Sequence, residues 1–288
     1  MRKRNIVVLL LIMAAFFSFS CRKKAQVKGL DLTMNFSDKI LTDNLITNVE
    51  YKWKTTAEFQ KMSGDYSVFV HLWHNNNMLL QDDYVPDVPT SKWEPNKEYS
   101  FKHRIYIPSF IDEFDPQFKG DETLKLSVGL YSPYDRSGKS QVQVLEKNLK
   151  VLPPPPDTPE IVYEDGWYKQ EADPKAFLKQ WRWTAKEARC LIDNPRRDAL
   201  LVVKGGLNMD ALKDQKVIIK IDDMVLDEFI PTEGTFDKSY DVKKDMLGDK
   251  NEFTLTIATD KIFVPAQVHP GSTDQRQLGL QVSFIYFR

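Results

Sequence analysis

The fold of this chain can be inferred from one segment, Tyr66-Ser67-Val68-Phe69-Val70-His71-Leu72-Trp73. Alternate side chains of an extended strand share a face, and one face here collects mainly apolar residues: Tyr66, Val68, Val70 and Leu72. Asn75-Asn76-Asn77 follows as a turn, and Met78-Leu79-Leu80 is the returning strand. The stretch therefore predicts a β-hairpin with one buried face.

Further strands follow this hairpin along the chain. The pattern predicts strands from Tyr99 to Ile107, where Pro108 ends the run, from Thr123 to Tyr131, and from Val142 to Val151. Short strands separated by turn signals, without a convincing long amphipathic helix, are typical of an immunoglobulin-like sandwich. We expect this domain to cover residues 29–152.

Four consecutive prolines mark the boundary of this domain: Pro153-Pro154-Pro155-Pro156, followed by Asp157-Thr158-Pro159. Such a run favours polyproline II, a semi-rigid spacer that extends roughly 3 Å per residue. We interpret residues 153–160 as a Pro-rich linker between two flanks, each long enough to form one compact core.

The second flank, residues 161–288, also alternates as strands do. The clearest runs are Leu200–Val203, Val217–Ile221, Phe253–Ile257 and Leu278–Phe287, with Asp222-Asp223 as a tight turn after the second of them. Pro174 to Gln180 is the only helix candidate, one or two turns long. The pattern predicts a second antiparallel sandwich, jelly-roll-like in type, so the expected fold class is all-β.

The N-terminal residues predict export. Arg2-Lys3-Arg4 forms a basic cap, an apolar run extends from Ile6 to Phe17, and Ser18-Phe19-Ser20 precedes Cys21. This order is that of a secretory signal, and the apolar run is too short to span a membrane as a mature helix. A cysteine directly after the cleavage point resembles the bacterial lipobox. We assign residues 1–20 to a lipoprotein signal peptide and 21–28 to a lipidated tether, with an ordinary signal peptide or an uncleaved anchor as alternatives.

Acylated Cys21 would hold the protein on a membrane of the bacterial cell envelope. Arg22 follows the cysteine where Asp would otherwise stand, which resembles the outer-membrane sorting pattern of Gram-negative bacteria. The outer membrane is therefore favoured, with the periplasmic or surface face left open. Arg22-Lys23-Lys24 suits either anionic headgroups or a solvated tether.

The charge balance gives no sign of a nucleic-acid partner. The chain has 40 Lys and Arg against 41 Asp and Glu, and residues 1–20 hold three of the basic residues and none of the acidic ones. The mature chain therefore carries 37 basic and 41 acidic residues, a net charge of −4 with histidines neutral. Nucleic-acid binders need a concentrated basic face.

Cys190 is the only cysteine left once Cys21 is acylated, so we expect no intramolecular disulfide. In Ala188-Arg189-Cys190-Leu191-Ile192 it shares a strand face with Ala188 and Ile192. We interpret it as a small buried hydrophobe rather than a nucleophile.

Two sets of short motifs resemble known modules. Residues 70–72, 81–83, 88–93 and 128–131 (VHL, QDD, VPTSKW and VGLY) resemble a β-sandwich module of bacterial envelope proteins. Residues 166–168, 182–188, 263–265 and 274–280 (GWY, RWTAKEA, FVP and DQRQLGL) resemble the accessory β-domain of some bacterial membrane glycosyltransferases and cell-surface glycan proteins. The resemblance implies accessory modules without the enzyme, because the chain has no glycosyltransferase catalytic domain.

Trp181-Arg182-Trp183, with Lys186 and Glu187, is the most suggestive candidate site. On a strand the two indoles point to one side and Arg182 to the other. Exposed indoles can stack on sugar rings while the charged groups hydrogen-bond hydroxyls. The alternative is that the indoles fill the core and the charges form surface pairs.

Two groups of charged residues near turns invite the same pair of interpretations. Arg196 and Arg197, in Asn194-Pro195-Arg196-Arg197-Asp198, can grip a sulfate, phosphate or uronate. Asp274 and Arg276 directly precede the final strand. Each group can instead brace a loop through ion pairs with its neighbours.

We expect neither a metal site nor a cofactor. Asp82-Asp83 supplies too few oxygens for calcium, and His71 and His74 face opposite sides of an extended chain without a third histidine nearby. No Gly-x-Ser-x-Gly elbow, phosphate-binding Gly-rich loop or His-Glu-x-x-His helix is present.

Three functions follow, in order of preference. The first is a non-catalytic binding or scaffolding module with cell-surface glycan as the favoured ligand. The second is an assembly protein that docks onto another envelope component through a sheet edge or apolar patch. The third is a small envelope glycan hydrolase, which requires two carboxyl groups facing each other across a cleft.

Overall fold

The computed structural model describes residues 27–135, 137–138, 140–174 and 176–288, without the side chains of residues 176–178. The predicted signal peptide, Cys21 and most of the tether lie outside the described residues. The chain divides into two compact units within the proline run, an N-terminal domain that ends at Pro154 and a C-terminal domain that begins at Pro155.

Eight strands build the N-terminal domain. They are β1 Leu30–Phe36, β2 Leu41–Thr42, β3 Leu45–Thr55, β4 Ser67–His74, β5 Asn77–Gln81, β6 Glu98–Ile107, β7 Glu122–Tyr131 and β8 Val142–Leu152. They form a three-stranded sheet in the order β1-β3-β6 and a five-stranded sheet in the order β2-β8-β7-β4-β5. Neighbouring strands are antiparallel except for β2 with β8. The predicted immunoglobulin-like sandwich is confirmed.

The core of this domain follows the alternation of β4. Val68, Val70 and Leu72 are fully buried, as the sequence pattern predicts, whereas Tyr66 precedes the strand and is only partly buried. Trp53 and Trp93 pack in the same core with ring centroids 5.6 Å apart. The Trp93 indole donates to the Val88 carbonyl at 3.0 Å, so this buried N–H has the partner that burial demands.

Ten strands and two short helices build the C-terminal domain. The strands are β9 Ile161–Tyr163, β10 Glu171–Asp173, β11 Ala176–Trp183, β12 Glu187–Asp193, β13 Ala199–Gly206, β14 Val217–Ile221, β15 Met224–Phe229, β16 Thr235–Val242, β17 Glu252–Thr259 and β18 Gln281–Phe287. The helices are α1 Lys244–Leu247 and α2 Pro265–Val268. Each helix has four residues, and no helix in the described parts of the chain is long and apolar enough to cross a membrane.

Two five-stranded sheets enclose the core of this domain. Their orders are β10-β11-β18-β13-β16 and β15-β14-β17-β12-β9. From β11 to β14 the chain passes between the two sheets at every step, which is the jelly-roll-like connectivity that the sequence predicts. Each sheet contributes to the core through alternating apolar residues, of which Ile192, Leu201, Ile219 and Leu255 are fully buried.

One local prediction is wrong. Residues from Ala176 to Gln180, predicted as part of a short helix, belong to strand β11. This strand pairs with β10 on one side and β18 on the other. Hydrogen bonding to the neighbouring strands therefore outweighs the weak helical pattern, as tertiary context commonly does for a short segment.

Two tight turns have the backbone that their sequences favour. Asn75, between β4 and β5, has φ +53°, and Asp222, between β14 and β15, has φ +47°. Asn and Asp tolerate this left-handed region better than other residues with a Cβ atom. The first turn matters for function because it places Asn75 and Asn76 beside the outer face of β4.

Candidate functional site

Three predicted site residues of the C-terminal domain, Trp181, Asp274 and Arg276, belong to one hydrogen-bonded network that also includes Glu171. The Trp181 indole donates to Glu171 Oε2 at 3.2 Å, and Arg276 Nη1 donates to Glu171 Oε1 at 2.6 Å. Arg276 Nε and Nη2 donate to Asp274 Oδ2 at 3.0 and 2.7 Å. Its guanidinium also lies 5.2 Å from the centroid of the Tyr168 ring. These polar groups are hydrogen-bonded to one another, so the cluster stabilises the segments that carry it.

Arg182 and Trp183 also contact their own domain. The Arg182 guanidinium lies 4.6 Å from the centroid of the Tyr163 ring, and its Nη2 donates to Gln170 Oε1 at 3.3 Å. The Trp183 ring meets Phe263 edge to face at 5.7 Å. Both side chains are half-buried, and these contacts favour the architectural interpretation of the pair.

The arginines of the 194–198 turn brace the segments around them. Arg196 Nη2 donates to Asn251 Oδ1 at 2.6 Å, and Arg197 forms an ion pair with Asp157. The Arg197 guanidinium lowers the pKa of the Asp157 carboxyl. This turn is therefore stabilised from two directions without an external anion.

Lys186 and Glu187 are exposed at the start of β12. Glu187 Oε1 accepts hydrogen bonds from Arg189 Nε at 3.0 Å and Nη2 at 2.6 Å. Glu187 and Arg189 line a polar depression of about 520 Å³ on the outer face of their sheet. Lys250 and Asp222, 3.6 Å apart, line it as well, so the charges of this depression pair largely within it.

A different surface, in the N-terminal domain, carries the geometry of a binding site. Phe69, His71 and Trp73 alternate with the buried residues of β4 and form an aromatic row on the outer face of the five-stranded sheet. The centroids of Phe69 and His71 are 4.9 Å apart, and those of His71 and Trp73 are 6.2 Å apart. Phe69 is buried as the floor, whereas His71 and Trp73 are half-buried.

Polar side chains surround this row. We call the resulting cavity the β4 groove; its volume is about 470 Å³. The described residues that line it are Phe69, His71, Trp73, Asn75, Asn76, Lys125, Ser127, Gly138, Gln141 and Gln143. An aromatic floor rimmed by amides, which both donate and accept hydrogen bonds, suits a ligand with apolar faces and polar edges.

The register of the sheet explains this assembly. In the ladder between β4 and β7, His71 stands opposite Ser127 and Trp73 opposite Lys125. Lys125 Nζ lies 3.2 Å from Glu146 Oε2, and Gln143 Nε2 donates to the same carboxylate oxygen at 2.8 Å. The rim on β7 and β8 is thereby held in place before any ligand binds.

Gly129 allows the row to lie close to the sheet. It stands opposite Phe69 in the ladder, and a Cβ atom at this position would lie 2.6 Å from the Phe69 ring and 2.0 Å from the Val142 carbonyl oxygen. Real Cβ atoms do not approach other atoms so closely. Only glycine therefore lets the Phe69 ring lie over β7 without displacing β8.

A smaller lobe extends from the groove. It has a volume of about 190 Å³ and shares Phe69, His71, Gly138 and Gln141 with the β4 groove. Its other described lining residues are polar or aromatic: Gln81, Asp83, Tyr131, Asp135 and Ser140. The two spaces therefore meet at His71.

Asp83 is one of the residues that line the smaller lobe. Its Oδ2 accepts a hydrogen bond from Gln81 Nε2 at 3.0 Å, and its Oδ1 lies 3.4 Å from His71 Nε2. Burial and the Asp83 carboxylate together raise the pKa of Tyr131, so the phenol remains a hydrogen-bond donor. Asp83 therefore orients groups on both sides of it.

Asp135 has a different role. Its carboxylate accepts hydrogen bonds from the backbone N–H groups of Ser137 at 2.9 Å and Ser140 at 2.7 Å. These bonds and the Ser137 hydroxyl hold the pKa of Asp135 far below its usual range. The residue therefore organises the β7–β8 loop as a permanent anion and lacks the raised pKa of a general acid.

Sequence reasoning missed this groove although its signal was present. The alternation that predicts the buried face of β4 also places Phe69, His71 and Trp73 on the opposite face. A row of aromatic residues on the solvent side of a strand is unusual, since the outer face of an antiparallel sheet is commonly polar. The loop and turn residues around the row are separated in sequence and are brought together only by the fold.

The candidate metal ligands have other partners. Asp82 Oδ2 lies 2.7 Å from His103 Nε2, Asp83 lies beside His71, and His74 Nε2 lies 3.1 Å from Glu122. In the part of the chain that the structure describes, no group of three His, Cys, Asp or Glu residues is placed to hold a metal ion.

Cys190 lies in the interior of the C-terminal domain on β12. Burial raises the pKa of its thiol to about 12. A thiolate is the reactive form of cysteine, so this residue is a poor nucleophile at neutral pH. The geometry fits the interpretation of a small buried hydrophobe.

No family model matches the sequence, and no curated protein matches it. Solved structures to which the chain is similar include the secreted serine protease VesC from Vibrio cholerae, with 13% identity and a TM-score of 0.27 over 90% of this chain and 51% of that chain. They also include Bacteroides uniformis β-glucuronidase 2, with 11% identity and a TM-score of 0.28 over 88% of this chain and 30% of that one.

A third similar structure belongs to carbohydrate-binding modules of the β-sandwich superfamily. Its identity is 9% and its TM-score 0.24, over 92% of this chain and 100% of that chain. The chain spans about half of the VesC chain and less than a third of the glucuronidase chain.

Proposed function

We propose that the protein is a lipid-anchored, non-catalytic binding module of the bacterial cell envelope whose ligand is a glycan. The ligand site is the β4 groove in the N-terminal domain. The observation that carries this proposal is the row formed by Phe69, His71 and Trp73, with amide side chains at its rim.

The chemistry of the groove matches that of a sugar. A pyranose ring has an apolar face of C–H groups, which stacks on an aromatic ring, and an equator of hydroxyl groups, which bond to amides. Asn75, Asn76 and Gln141 are exposed at the rim, and all three line the cavity that a bound ring would occupy. A cavity of about 470 Å³ lies within the range of small-molecule sites.

The non-catalytic part of the proposal rests on the two carboxylates of the smaller lobe. A glycoside hydrolase needs one carboxyl group that is protonated at working pH. Asp135 has a lowered pKa and is held by its own loop. Asp83 accepts a hydrogen bond from Gln81 through Oδ2, and we propose that this carboxylate binds a ligand rather than cleaves it.

The location of the protein is proposed from its N-terminal sequence. Cys21 would receive the lipid, and Arg22-Lys23-Lys24 would lie against the membrane surface. The outer membrane is the favoured site. In this arrangement the lipid anchors the module, and the groove of the N-terminal domain binds envelope or surface glycans.

The test of glycan binding uses the soluble mature chain, residues 25–288. It is incubated with immobilised starch, xylan, galactomannan, pectin and peptidoglycan, and retained polysaccharides are then titrated by calorimetry. Trp73→Ala should weaken binding by about 2 kcal/mol, roughly thirtyfold, because truncating a central aromatic residue costs that much at a typical hot spot.

Phe114→Ala is the matched control. Phe114 lies in the same domain and is 96% exposed, outside the groove, so its loss should leave affinity unchanged. Retention of none of the five polysaccharides by the wild-type chain would refute the proposal. Equal affinity of the Trp73→Ala and wild-type chains would place the ligand elsewhere on the molecule.

Docking onto another envelope protein is the second candidate. Strand β15 is the outermost strand of its sheet, and Met224 and Val225 on it are 38% and 51% exposed. An outer strand with apolar side chains is a template for strand addition by a partner. A Val225→Lys variant that lost a crosslinked envelope partner while keeping glycan affinity would favour this function.

A further inference from the structure

The relation between the β4 groove and its smaller lobe bears on the size of the ligand. The groove, at about 470 Å³, has the volume of an independent small-molecule site. The lobe, at about 190 Å³, is smaller than such sites usually are. Because both are lined by Phe69, His71 and Gln141, the lobe is an extension of the groove.

The two spaces differ in their chemistry. The groove offers the Trp73 ring as a stacking surface, with Asn75 and Asn76 beside it. The lobe offers mainly hydrogen-bonding groups, among them the Asp83 carboxylate, the Tyr131 phenol and the Ser140 hydroxyl. The groove therefore suits the face of a sugar ring, and the lobe suits the hydroxyl-bearing edge of the next one.

Asp83 Oδ1 and His71 Nε2 can each form a further hydrogen bond. The two atoms are 3.4 Å apart, longer than a charge-assisted hydrogen bond. Within the described residues neither atom has a hydrogen-bond partner. A buried polar atom in this state gains from a hydrogen bond with a ligand hydroxyl once the side chains adjust around it.

We infer that the β4 groove binds an oligosaccharide segment of at least two consecutive sugar units, with one unit stacked on Trp73 and the next hydrogen-bonded in the lobe of Asp83 and Tyr131. This inference rests on the proposed glycan-binding function. The spacing of ring centroids along β4, 4.9 and 6.2 Å, is comparable with the length of one hexose unit. His71, which both spaces share, lies at the junction of the two units.

The experiment measures affinity against chain length. Oligosaccharides of one to four units, prepared from each polysaccharide that the wild-type chain retains, are titrated into residues 25–288. We expect affinity to rise at least about tenfold between one and two units, because a hydrogen bond to a charged group typically adds that factor or more.

Two variants locate this gain. Tyr131→Phe and Asp83→Asn should each reduce the gain severalfold or more, whereas Trp73→Ala should weaken binding at every length. If Asp83→Asn fails to fold, Tyr131→Phe, which removes one oxygen atom, carries the test. Asn148→Ala is the control, since Asn148 is exposed on β8 and lies outside the residues that line both spaces.

The outcomes separate the two proposals. Equal affinity for one, two and more units would overturn the two-unit inference and leave glycan binding intact. A gain with length that neither variant reduces would also overturn it, since the second unit would then lie outside the lobe. Absence of binding to every polysaccharide would overturn the proposed function itself.

Discussion

The Gly129→Ala variant tests the link between the fold and the groove. The Cβ atom would be 2.0 Å from the Val142 carbonyl oxygen and 2.6 Å from the Phe69 ring. Ordinary contact begins near 3.4 Å, so the Val142 carbonyl of β8 has to move by more than an ångström and the Phe69 ring by somewhat less. The ladder between β7 and β8 already shifts register between Val128 and Gly129, and the displacement would strain it further.

The expected cost follows from this overlap. Overpacking of a close-packed region costs about 1–3 kcal/mol, and backbone contact at 2.0 Å places Gly129→Ala toward the upper part of that range. A loss of about 2.5 kcal/mol lowers the melting temperature of a domain of this size by roughly 10 °C. The displaced Phe69 ring should also weaken glycan binding, since it forms the floor of the groove.

Gly64→Ala is the matched control for this variant. A Cβ at Gly64 would meet nothing within 4 Å, and its φ is not positive. The substitution should therefore be neutral or stabilise slightly by restricting the unfolded chain. Thermal unfolding and peptide-resolved hydrogen exchange report the effect, with peptides of the C-terminal domain as an internal reference. Equal melting temperatures for the two variants would refute the packing argument.

Two further predictions concern the C-terminal domain. Arg276 lowers the pKa of Asp274, so the pair stabilises the fold fully above the ordinary Asp pKa of 3.8, and this stability is lost as the pH falls through the lowered pKa of the folded state. The difference in urea midpoint between Arg276→Met and wild type should therefore be present at pH 7 and shrink below pH 3.8. A difference that stayed constant with pH would contradict the assignment. The Cys190 thiol is buried and has a pKa of about 12, so in folded residues 25–288 it should resist iodoacetamide at pH 8 and react only after unfolding in urea. Mass spectrometry measures the labelling. Rapid labelling of the folded chain would mean that β12 opens readily.

The sequence predicts this architecture well because alternation is a local signal. Val68, Val70 and Leu72 are each recognised from their immediate neighbours, and they are buried as expected. The segment before Gln180 shows the limit of that signal. It becomes strand β11 because β10 and β18 supply hydrogen-bonding partners, and no local pattern contains information about partners that are distant in sequence.

The candidate site was less predictable for the same physical reason. Trp181 and Trp73 are both tryptophans on strands beside charged or polar residues, and sequence reasoning favoured Trp181. The fold gives the Trp181 indole a partner in Glu171, a residue ten positions away that pairs with it across β10 and β11. Glu171 in turn receives Arg276 from a segment more than a hundred residues away.

The contrast between these two tryptophans suggests how to separate structural from binding residues. At Trp181, Asp274 and Arg276 the hydrogen-bonding groups meet one another, and the charges complete a network within the domain. Around Trp73 the nearby amides are exposed and line a cavity. Because an engaged polar group must lose a protein partner before it binds a ligand, the first cluster would bind weakly even if a glycan reached it. Asn76 and Gln141, at the rim of the β4 groove, are exposed to water, so a ligand that bonds to them displaces water rather than a protein partner.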